Sequence, residues 1–360
     1  MNERRRHGGY VLMVFLTVLA LSVTHAQDNP GQQGGARGGG ARGGGGRGGA
    51  PPVPARPDND KVKEHWAAAN RLAGKDWIPA AHFQCAPEAE VTDRLPPRVR
   101  TQPDVKRDPV KVFDNLYFVG EKADVTWIIS TSDGLIMLDS GFPDRVETTL
   151  LAGMKTLGLD PAQLKYVLVG HEHQDHYGGS TFLQANYPGL RVGLSEVAWK
   201  AFEPGAPRQG PQAAPGPKMD LVIRDGEPIV LGDVRVTPVF IPGHTPGSMA
   251  FIFPVKDGGR THMAGLFGGT MLTIGANQPL ATSEQYLQSL KRWEDATRRM
   301  KVEVELISHP LFDGLFDRLE SLKTRRPGDP HPMVVGTDAY QRFVGVMREC
   351  TLAHMARRQN

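Results

Sequence analysis

The sequence predicts an α/β fold built from two related halves, each a sheet with helices on one face. Two observations lead to this prediction. Segments rich in β-branched and aromatic residues alternate with segments whose apolar residues recur at helical spacing, in the order β-rich, helical, β-rich, helical. In addition, three separate predicted strands run into histidine, so that imidazole side chains follow strand ends in both halves.

Residues 1–57 are predicted to lie outside the folded part. Residues 1–26 are typical of a secretory signal peptide, because Arg4 to Arg6 precede an apolar run of 14 residues and the segment ends in Ala26. An uncleaved anchor is the alternative, although a membrane span needs about 20 residues. Residues 27–57, with Arg-Gly-Gly repeats and prolines, predict a disordered linker. RNA contact by these repeats is the alternative in a cytosolic protein, whereas the signal predicts periplasmic or secreted localisation.

The predicted catalytic domain, residues 58–360, is slightly acidic. The formal net charge is +3, of which residues 1–26 carry +2 and residues 27–57 carry +3, leaving −2 for the remainder. This charge argues against nucleic acid as the main partner. We expect a small-molecule substrate and no membrane span after signal cleavage, while the oligomeric state does not follow from the sequence.

The two cysteines, Cys85 and Cys350, fit an oxidising compartment. One disulfide would join the start of the domain to its C-terminal helix. Since Cys350 is in helical register with Phe343 and Met347, a buried free thiol is the alternative.

The first half predicts an antiparallel meander followed by a helix. Turn residues such as Asp133-Gly134 separate four strand-like runs, and the last run leads into Asp139. Residues 144–157 have helical spacing, and Gly158 ends them. The four runs are Val112-Phe113, 116–119, 125–129 and 135–138.

A cluster of potential metal ligands follows the next predicted strand, residues 166–169. His171 and His173 lie two residues apart, so their rings can point the same way in an extended turn. Asp175 and His176 begin the next turn and can face a second metal. Imidazole and carboxylate together suit zinc. The alternative is a solvated loop without a metal.

The second half predicts strands from Leu221 to Gly265, and a Gly/Pro-rich turn between two of them carries His244. Thr282 and Gln285 resemble a capping box at the start of the following helix. A strand over 302–307 then leads to His309, and a last helix is predicted over 337–356. The Pro-rich residues 204–217 predict a loop, which is either a flap near the site or an idle surface segment.

From about Lys111 to His309 the sequence resembles the metallo-β-lactamase superfamily. The resemblance is carried by Asp139, the His-x-His-x-Asp-His motif at 171–176, His244 in Gly-His-Thr-Pro-Gly, and His309. It implies a four-layer αβ/βα sandwich with a zinc site at the sheet edge. It also implies that Asp139 supports the site without being a ligand. The implied ligands of the first zinc are His171, His173 and His244, and those of the second are Asp175, His176 and His309.

Within the superfamily, the closest resemblance is to the third subclass of class B β-lactamases. Several other branches carry a metal-bridging Asp after the residue equivalent to His244, whereas residues 263–269 contain no carboxylate here. The chain departs from the subclass in one respect. Serines that help bind the substrate carboxylate are usual near the stretch occupied here by Gly265 and Phe267.

The resemblance implies hydrolysis by hydroxide formed at two zinc ions, which would open the ring of a β-lactam. Asp175 is the predicted catalytic residue, because it would orient the nucleophile. Glu172 is either a proton relay or a solvated loop residue, and Tyr177 and the loop 204–217 are candidate substrate contacts. The alternatives are hydrolysis of another cyclic ester, a thioester or an amide, and a tethered metal-binding module without catalysis.

Overall fold

Two β-sheets face each other at the centre of the fold, and helices cover the outer face of each. The computed structural model describes residues 58–86, 106–206, 215–270 and 280–359, all within one unit that spans Val53–Asn360. The predicted signal and linker lie outside the described residues, as do residues 207–214 of the Pro-rich loop. Within the described part, no helix combines the length and the apolar character that a membrane crossing requires.

The first sheet has seven strands in the order β1 to β7. Strands β1 to β4 pair antiparallel, which confirms the predicted meander, and β4 to β7 pair parallel. Its strands are β1 (Val110–Phe113), β2 (Leu116–Gly120), β3 (Val125–Thr131), β4 (Gly134–Leu138), β5 (Leu164–Leu168), β6 (Arg191–Ser195) and β7 (Leu221–Ile223).

The second sheet has five strands in the order β12-β11-β10-β9-β8. Only β11 and β12 pair parallel. The second β-rich half was predicted to begin at Leu221, which is wrong, because Leu221 pairs with Gly193 in the first sheet. The strands are β8 (Ile229–Leu231), β9 (Val234–Phe240), β10 (Met249–Asp257), β11 (Arg260–Phe267) and β12 (Val304–Leu306).

Nine α-helices occur among the described residues. They are α1 (Asp60–Ala73), α2 (Ile78–Cys85), α3 (Ala152–Thr156), α4 (Gln174–Tyr177), α5 (Ser180–Asn186), α6 (Glu196–Trp199), α7 (Leu280–Arg299), α8 (Leu315–Lys323) and α9 (Thr337–Arg358).

Two helical predictions need correction in detail. The helix over 144–157 is a 3₁₀ turn at Pro143–Arg145, a π-helix at Val146–Leu151 and then α3. Helix α7 already contains Leu280, so Thr282 lies inside it and the predicted capping box is wrong. The last helix was predicted over 337–356, and α9 confirms it.

Strand alternation separates three apolar layers. Trp127 and Ile129 of β3 face the core between the sheets, and Ile128 faces the outer core under the short helices. On β10, Phe251 faces the central core and Ile252 faces a second outer core formed with α1, α2, α7 and α9. The order helix, sheet, sheet, helix confirms the predicted α/β four-layer αβ/βα sandwich.

A disulfide joins α2 to α9. Cys85 and Cys350 are bonded, with their Cα atoms 4.4 Å apart. Both residues are buried in the outer core, beside Trp77, whose indole nitrogen donates to the carbonyl of Ala339 at 2.7 Å. The disulfide therefore joins the start of the domain to its C-terminal helix, as predicted, and the alternative of free thiols is excluded.

Candidate metal centre

Strand ends from both sheets meet at one edge of the sandwich, and the loops that follow them carry the predicted ligands. The loop after β5 is tied to the second sheet because Met249 N donates to the carbonyl of Gly170 at 2.7 Å. The loop after β12 is tied to the first sheet because Val125 N donates to the carbonyl of Ser308 at 2.9 Å. These cross-sheet bonds bring the ligand-bearing loops of the two halves together.

The first cluster consists of His171, His173 and His244. His171 Nε2 lies 3.1 Å from both His173 Nδ1 and His244 Nε2, and the last two atoms are 3.2 Å apart. Three nitrogens bound to one tetrahedral zinc at about 2.05 Å would be separated by about 3.3 Å. The described geometry therefore fits one zinc ion held by these three imidazoles.

The second cluster consists of Asp175, His176 and His309. The Nε2 atoms of the two histidines are 3.0 Å apart. Asp175 Oδ2 lies 3.8 Å from His176 Nε2 and 3.7 Å from His309 Nε2. Two imidazoles and one carboxylate, with their ligand atoms all within 4.8 Å of one another, form a donor set that suits a second zinc.

Asp139 holds residues of the second cluster in place through hydrogen bonds of its side chain. Asp139 is one of two non-glycine residues with positive φ among the described residues, at 59°. In this conformation Oδ1 accepts from Gly170 N at 2.7 Å, while Oδ2 accepts from His176 Nδ1 at 2.8 Å and from Ser308 Oγ at 2.6 Å. Asp139 thus supports the site without belonging to either cluster, as the resemblance implied.

The other histidine of the second cluster has its own partners. His309 Nδ1 donates to the carbonyl of Ala123 at 2.9 Å and lies 3.1 Å from Asp124 Oδ1. These partners and the carboxylate on His176 orient Nε2 of each ring toward the cluster, as is usual for metal-ligating histidine. Nothing in the sequence around 121–124 singles out this support, because it depends on a contact across the two sheets.

Burial and neighbouring charges shift the pKa values of four of the six ligand side chains, namely His171, Asp175, His176 and His309. Burial, together with the neighbouring histidines, lowers the pKa of His171 well below its usual value. Burial also lowers the pKa of His309, but Asp124 and Asp175 outweigh it and raise the net value to about 9. The pKa of His176 is raised as well, because Asp139 and Asp175 outweigh its burial. The carboxyl of Asp175 has a lowered pKa, since its histidine neighbours outweigh burial.

Glu172 has a place that the sequence did not predict. Its side chain is buried, with 3% of the residue exposed, so the solvated-loop interpretation is wrong. Its carboxylate accepts from Thr245 Oγ1 at 2.8 Å and from Gly247 N at 3.3 Å. Glu172 therefore ties the loop of His171 and His173 to the turn that carries His244.

Three residues linked to substrate binding in the sequence lie in apolar cores instead. Tyr177 is buried and packs edge-on against Phe202, in the outer core of the first sheet. Phe267 belongs to the outer core of the second sheet, and a Cβ at Gly265 would lie 2.6 Å from the hydroxyl of Tyr340. Gly265 and Phe267, in the stretch near which the subclass usually carries serines, therefore face the outer core of the second sheet.

The described segment nearest to His244 after β11 is glycine-rich. A Cβ at Gly269 would lie 2.7 Å from the Cβ of His244, and a Cβ at Gly268 would lie 2.1 Å from the carbonyl of Met249. Only glycine fits here without a shift of the neighbouring atoms. The backbone can thus pass directly beside the first cluster without a side chain between them.

Comparisons with known proteins agree with this architecture. Residues 120–258 match the metallo-β-lactamase superfamily. A hydroxyacylglutathione hydrolase of Photobacterium profundum is 29% identical over 169 residues, which are 46% of this chain and 54% of that protein. The corresponding protein of Synechocystis is 32% identical over 150 residues, 40% and 51% of the two chains. The chain thus spans about half the length of these curated relatives.

Solved structures resemble the chain over a larger share. BJP-1, a subclass B3 metallo-β-lactamase of Bradyrhizobium japonicum, has a TM-score of 0.58 at 23% identity and covers 68% of this chain and 92% of its own. The FEZ-1 metallo-β-lactamase of Legionella gormanii has a TM-score of 0.59 at 23% identity, with 67% and 93% covered. At this identity the likeness establishes the fold.

Proposed function

We propose that this chain, which carries a metallo-β-lactamase superfamily domain, is an exported two-zinc hydrolase that opens the ring of β-lactams. The observation that carries the proposal is the meeting of the two clusters, His171, His173 and His244 beside Asp175, His176 and His309, at one edge of the sandwich. A single structural metal ion in a loop needs only one set of ligands. Here six side chains form two complete sets. Hydrolases of this superfamily use such sets for bond cleavage.

Zinc bound at these clusters would polarise a carbonyl group and lower the pKa of water to about 7. The chain's own residues supply the rest. His171 is neutral at pH 7 because its pKa is lowered, so its lone pair is ready for a metal. Asp139 and the carbonyl of Ala123 each hold the outer N–H of a histidine in the second cluster, which keeps Nε2 turned inward.

Asp175 combines two roles in this proposal. Its side chain is ionised, since its pKa is lowered, and one oxygen faces the two histidines of the second cluster. The other oxygen can accept a hydrogen bond from the attacking water and orient it toward the carbonyl carbon of the substrate. The proton that this water gives up would pass to the leaving nitrogen as the C–N bond of the amide breaks.

Two features support a β-lactam as the first substrate. The second cluster has one carboxylate and two histidines, which resembles the third subclass of class B β-lactamases. The described residues 263–270 contain no Asp or Glu that could bridge two metals, and Gly269 lies beside His244 in that stretch.

A second candidate function is hydrolysis of a thioester. The similarity to two proteins named hydroxyacylglutathione hydrolase favours it, because that similarity extends over 150 to 169 residues of this chain. A cyclic ester or another amide would use the same groups. Cleavage of a thioester differs only in the leaving group, which departs as a thiolate and needs less help from a proton donor.

The test is hydrolysis by the purified zinc-loaded protein of a chromogenic cephalosporin, a hydroxyacylglutathione and a γ-lactone. A chelator-treated sample and His171→Ala serve as controls. Turnover of the cephalosporin that both controls abolish supports the β-lactamase proposal. Turnover of the thioester or the lactone alone would show that this compound, and not a β-lactam, represents the substrate class. If none of the three compounds is hydrolysed, the hydrolase proposal is overturned.

Export is part of the proposal and has its own support. Residues 1–26 have the pattern of a signal peptide, and the Cys85–Cys350 disulfide fits an oxidising compartment. Fractionation of cells that produce the full chain tests this. Recovery with periplasmic or secreted proteins supports export, and recovery in the cytosol with reduced thiols contradicts it.

A further inference from the structure

Three charged side chains with little exposure flank the loop that carries His309, and neither metal cluster includes them. Glu305 lies on β12, four residues before His309, and Asp313 lies four residues after it. Arg318 lies on helix α8. The side chain of Glu305 is 0% exposed, that of Asp313 is 1% exposed and that of Arg318 is 14% exposed. We call these three residues the Arg318 clamp.

The guanidinium group of Arg318 binds both ends of this loop. Nη2 donates to Glu305 Oε2 at 2.8 Å and to Asp313 Oδ2 at 2.9 Å, and Nη1 donates to the carbonyl of Asp313 at 2.6 Å. Three acceptors around one group suit the rigid fork of donors in arginine, which lysine does not have. The backbone thus leaves Glu305 and returns, at Asp313, to the same side chain.

The entry into the loop is anchored separately from its exit. Trp127 Nε1 donates to the carbonyl of Ile307 at 3.1 Å, and Ser308 Oγ donates to the carboxylate of Asp139. These bonds fix the chain up to the residue before His309. The exit is held by Arg318 through both the carbonyl and the carboxylate of its loop partner. A short segment with both ends fixed has few conformations available, and His309 lies inside it.

Burial of these charges has a cost that core packing does not explain. Glu305 faces the outer layer of the second sheet, because its neighbours Val304 and Leu306 face the central core. Burial raises the pKa of both carboxyl groups of the clamp, so their charged forms are unfavourable here. Apolar residues of similar volume often replace a buried ion pair without loss of stability. Holding two ends of a loop together, in contrast, requires directed bonds.

We propose that Arg318 is a positioning residue, which closes the loop through Glu305 and Asp313 and thereby keeps His309 in place for the second cluster. The assignment rests on zinc binding at that cluster, which is part of the proposed function, and not on hydrolysis. It differs from the role of Asp124, which lies against Nδ1 of the His309 ring. The clamp fixes the backbone that carries the ring.

Arg318→Lys tests the fork without removing the charge. The zinc affinity of the second cluster should fall by about 10-fold, because one ammonium group cannot hold all three acceptors, while that of the first cluster should match the wild type. Competition of a chromophoric chelator with the zinc-loaded full chain measures both affinities. The affinity that is lost in His309→Ala identifies the second cluster.

Arg325→Lys is the matched control. Arg325 makes two hydrogen bonds to Asp257, at 2.8 and 2.7 Å. Asp257 is the last residue of β10, whose first residue, Met249, lies at the edge that carries the clusters. The same substitution at this distant pair should therefore leave both zinc affinities at the wild-type values.

A neutral triple variant, Glu305→Gln/Asp313→Asn/Arg318→Met, removes the clamp with little change in side-chain volume. Its second cluster should bind zinc about 10-fold more weakly than the wild type, and its first cluster should be unaffected. If Arg318→Lys does not fold, this variant provides the measurement. Lower stability in urea unfolding with both zinc affinities unchanged would show a purely structural role and overturn the proposal.

Hydrogen–deuterium exchange of the zinc-free protein gives a readout that needs no metal. In Arg318→Lys, amides of residues 306–313 should exchange faster than in the wild type, because the exit of the loop is released. Residues 241–248, around His244, should exchange at the wild-type rate. Faster exchange throughout the second sheet would indicate general destabilisation and contradict the positioning role.

The outcomes separate the clamp from the proposed function. A wild type with zinc in both clusters and clamp variants of equal affinity would overturn the clamp and leave the proposed function standing. A wild type without zinc in the second cluster would overturn both. Selective loss of affinity at the second cluster, in a protein that hydrolyses none of the test substrates, would support the clamp and overturn the hydrolase.

Discussion

Asp139 Oδ2 accepts a hydrogen bond from His176 Nδ1 at 2.8 Å, and the backbone of Asp139 adopts a φ of 59° to make it. A left-handed conformation costs a non-glycine residue about 1 kcal/mol or more. The chain carries this cost at the end of β4, where the carboxylate reaches Gly170 and Ser308 as well. The strained residue contacts His176 on the side away from the second cluster. The strained conformation therefore serves to orient a ligand of that cluster.

Asp139→Asn should weaken zinc binding at the second cluster by about 10- to 100-fold, because the amide no longer accepts all three hydrogen bonds. The zinc affinity of the first cluster should be the same as in the wild type. Competition with a chromophoric chelator measures both affinities. Glu303→Gln is the matched control, since Glu303 pairs with His262 at 2.6 Å away from the clusters. Equal zinc affinities in Asp139→Asn and the wild type would contradict the role given to Asp139.

Glu172→Gln should weaken zinc binding at the first cluster by roughly 10-fold, because the amide group cannot accept from both Thr245 and Gly247. Thr245→Val should have a similar effect, and the double variant should be little worse than either single variant. Glu196→Gln, an exposed glutamate at the start of α6, is the control. Strictly additive losses would show that Glu172 and Thr245 act independently.

The zinc-free protein should lose stability as the pH rises from 6.5 to about 9. His309 has a pKa raised to about 9, so its protonated form is favoured in the folded state. The stabilisation is complete below pH 6.5 and disappears through the folded-state pKa, a loss of about 3 kcal/mol. Urea unfolding with chelator at pH 6 and pH 9 measures it, with His309→Gln as the comparison. A difference between the two proteins that does not change with pH would contradict this prediction.

Reduction of the Cys85–Cys350 disulfide should lower the free energy of unfolding by about 2 to 5 kcal/mol, because the bond closes a long loop in the unfolded chain. Urea unfolding with and without reductant measures the difference. The Cys85→Ser/Cys350→Ser double variant should unfold like the reduced wild type in both conditions. A reductant effect that persists in the double variant would show that another process is responsible.

The sequence predicted the parts of the site that local pattern determines. The four strands of the meander and the ligand residues 171–176 follow from runs of apolar residues and from ligand types at a fixed spacing. His244 and His309 were found because each follows a predicted strand. The structure brings these side chains together through cross-sheet bonds, such as Met249 N to Gly170 O, that have no counterpart in a local pattern.

Other features depend on distant contacts and were missed for that reason. Glu172 looks solvated in a polar motif, and its burial depends on Thr245 and Gly247, more than 70 residues away. Strand β7 has only three residues, so its pairing with β6 cannot be read from its own sequence. Alternation along β11 puts Gly265 and Phe267 on the face opposite to Leu266, so their direction toward the outer core could have been predicted from the sequence.

The central claim is that this chain holds two zinc ions at two separate clusters, and zinc analysis after gel filtration tests it most directly. The wild type should contain two zinc ions per chain, and His171→Ala and His309→Ala should contain about one each. Circular dichroism of each variant confirms that it is folded. A folded wild type with one zinc or none, or variants that keep both, would contradict the account.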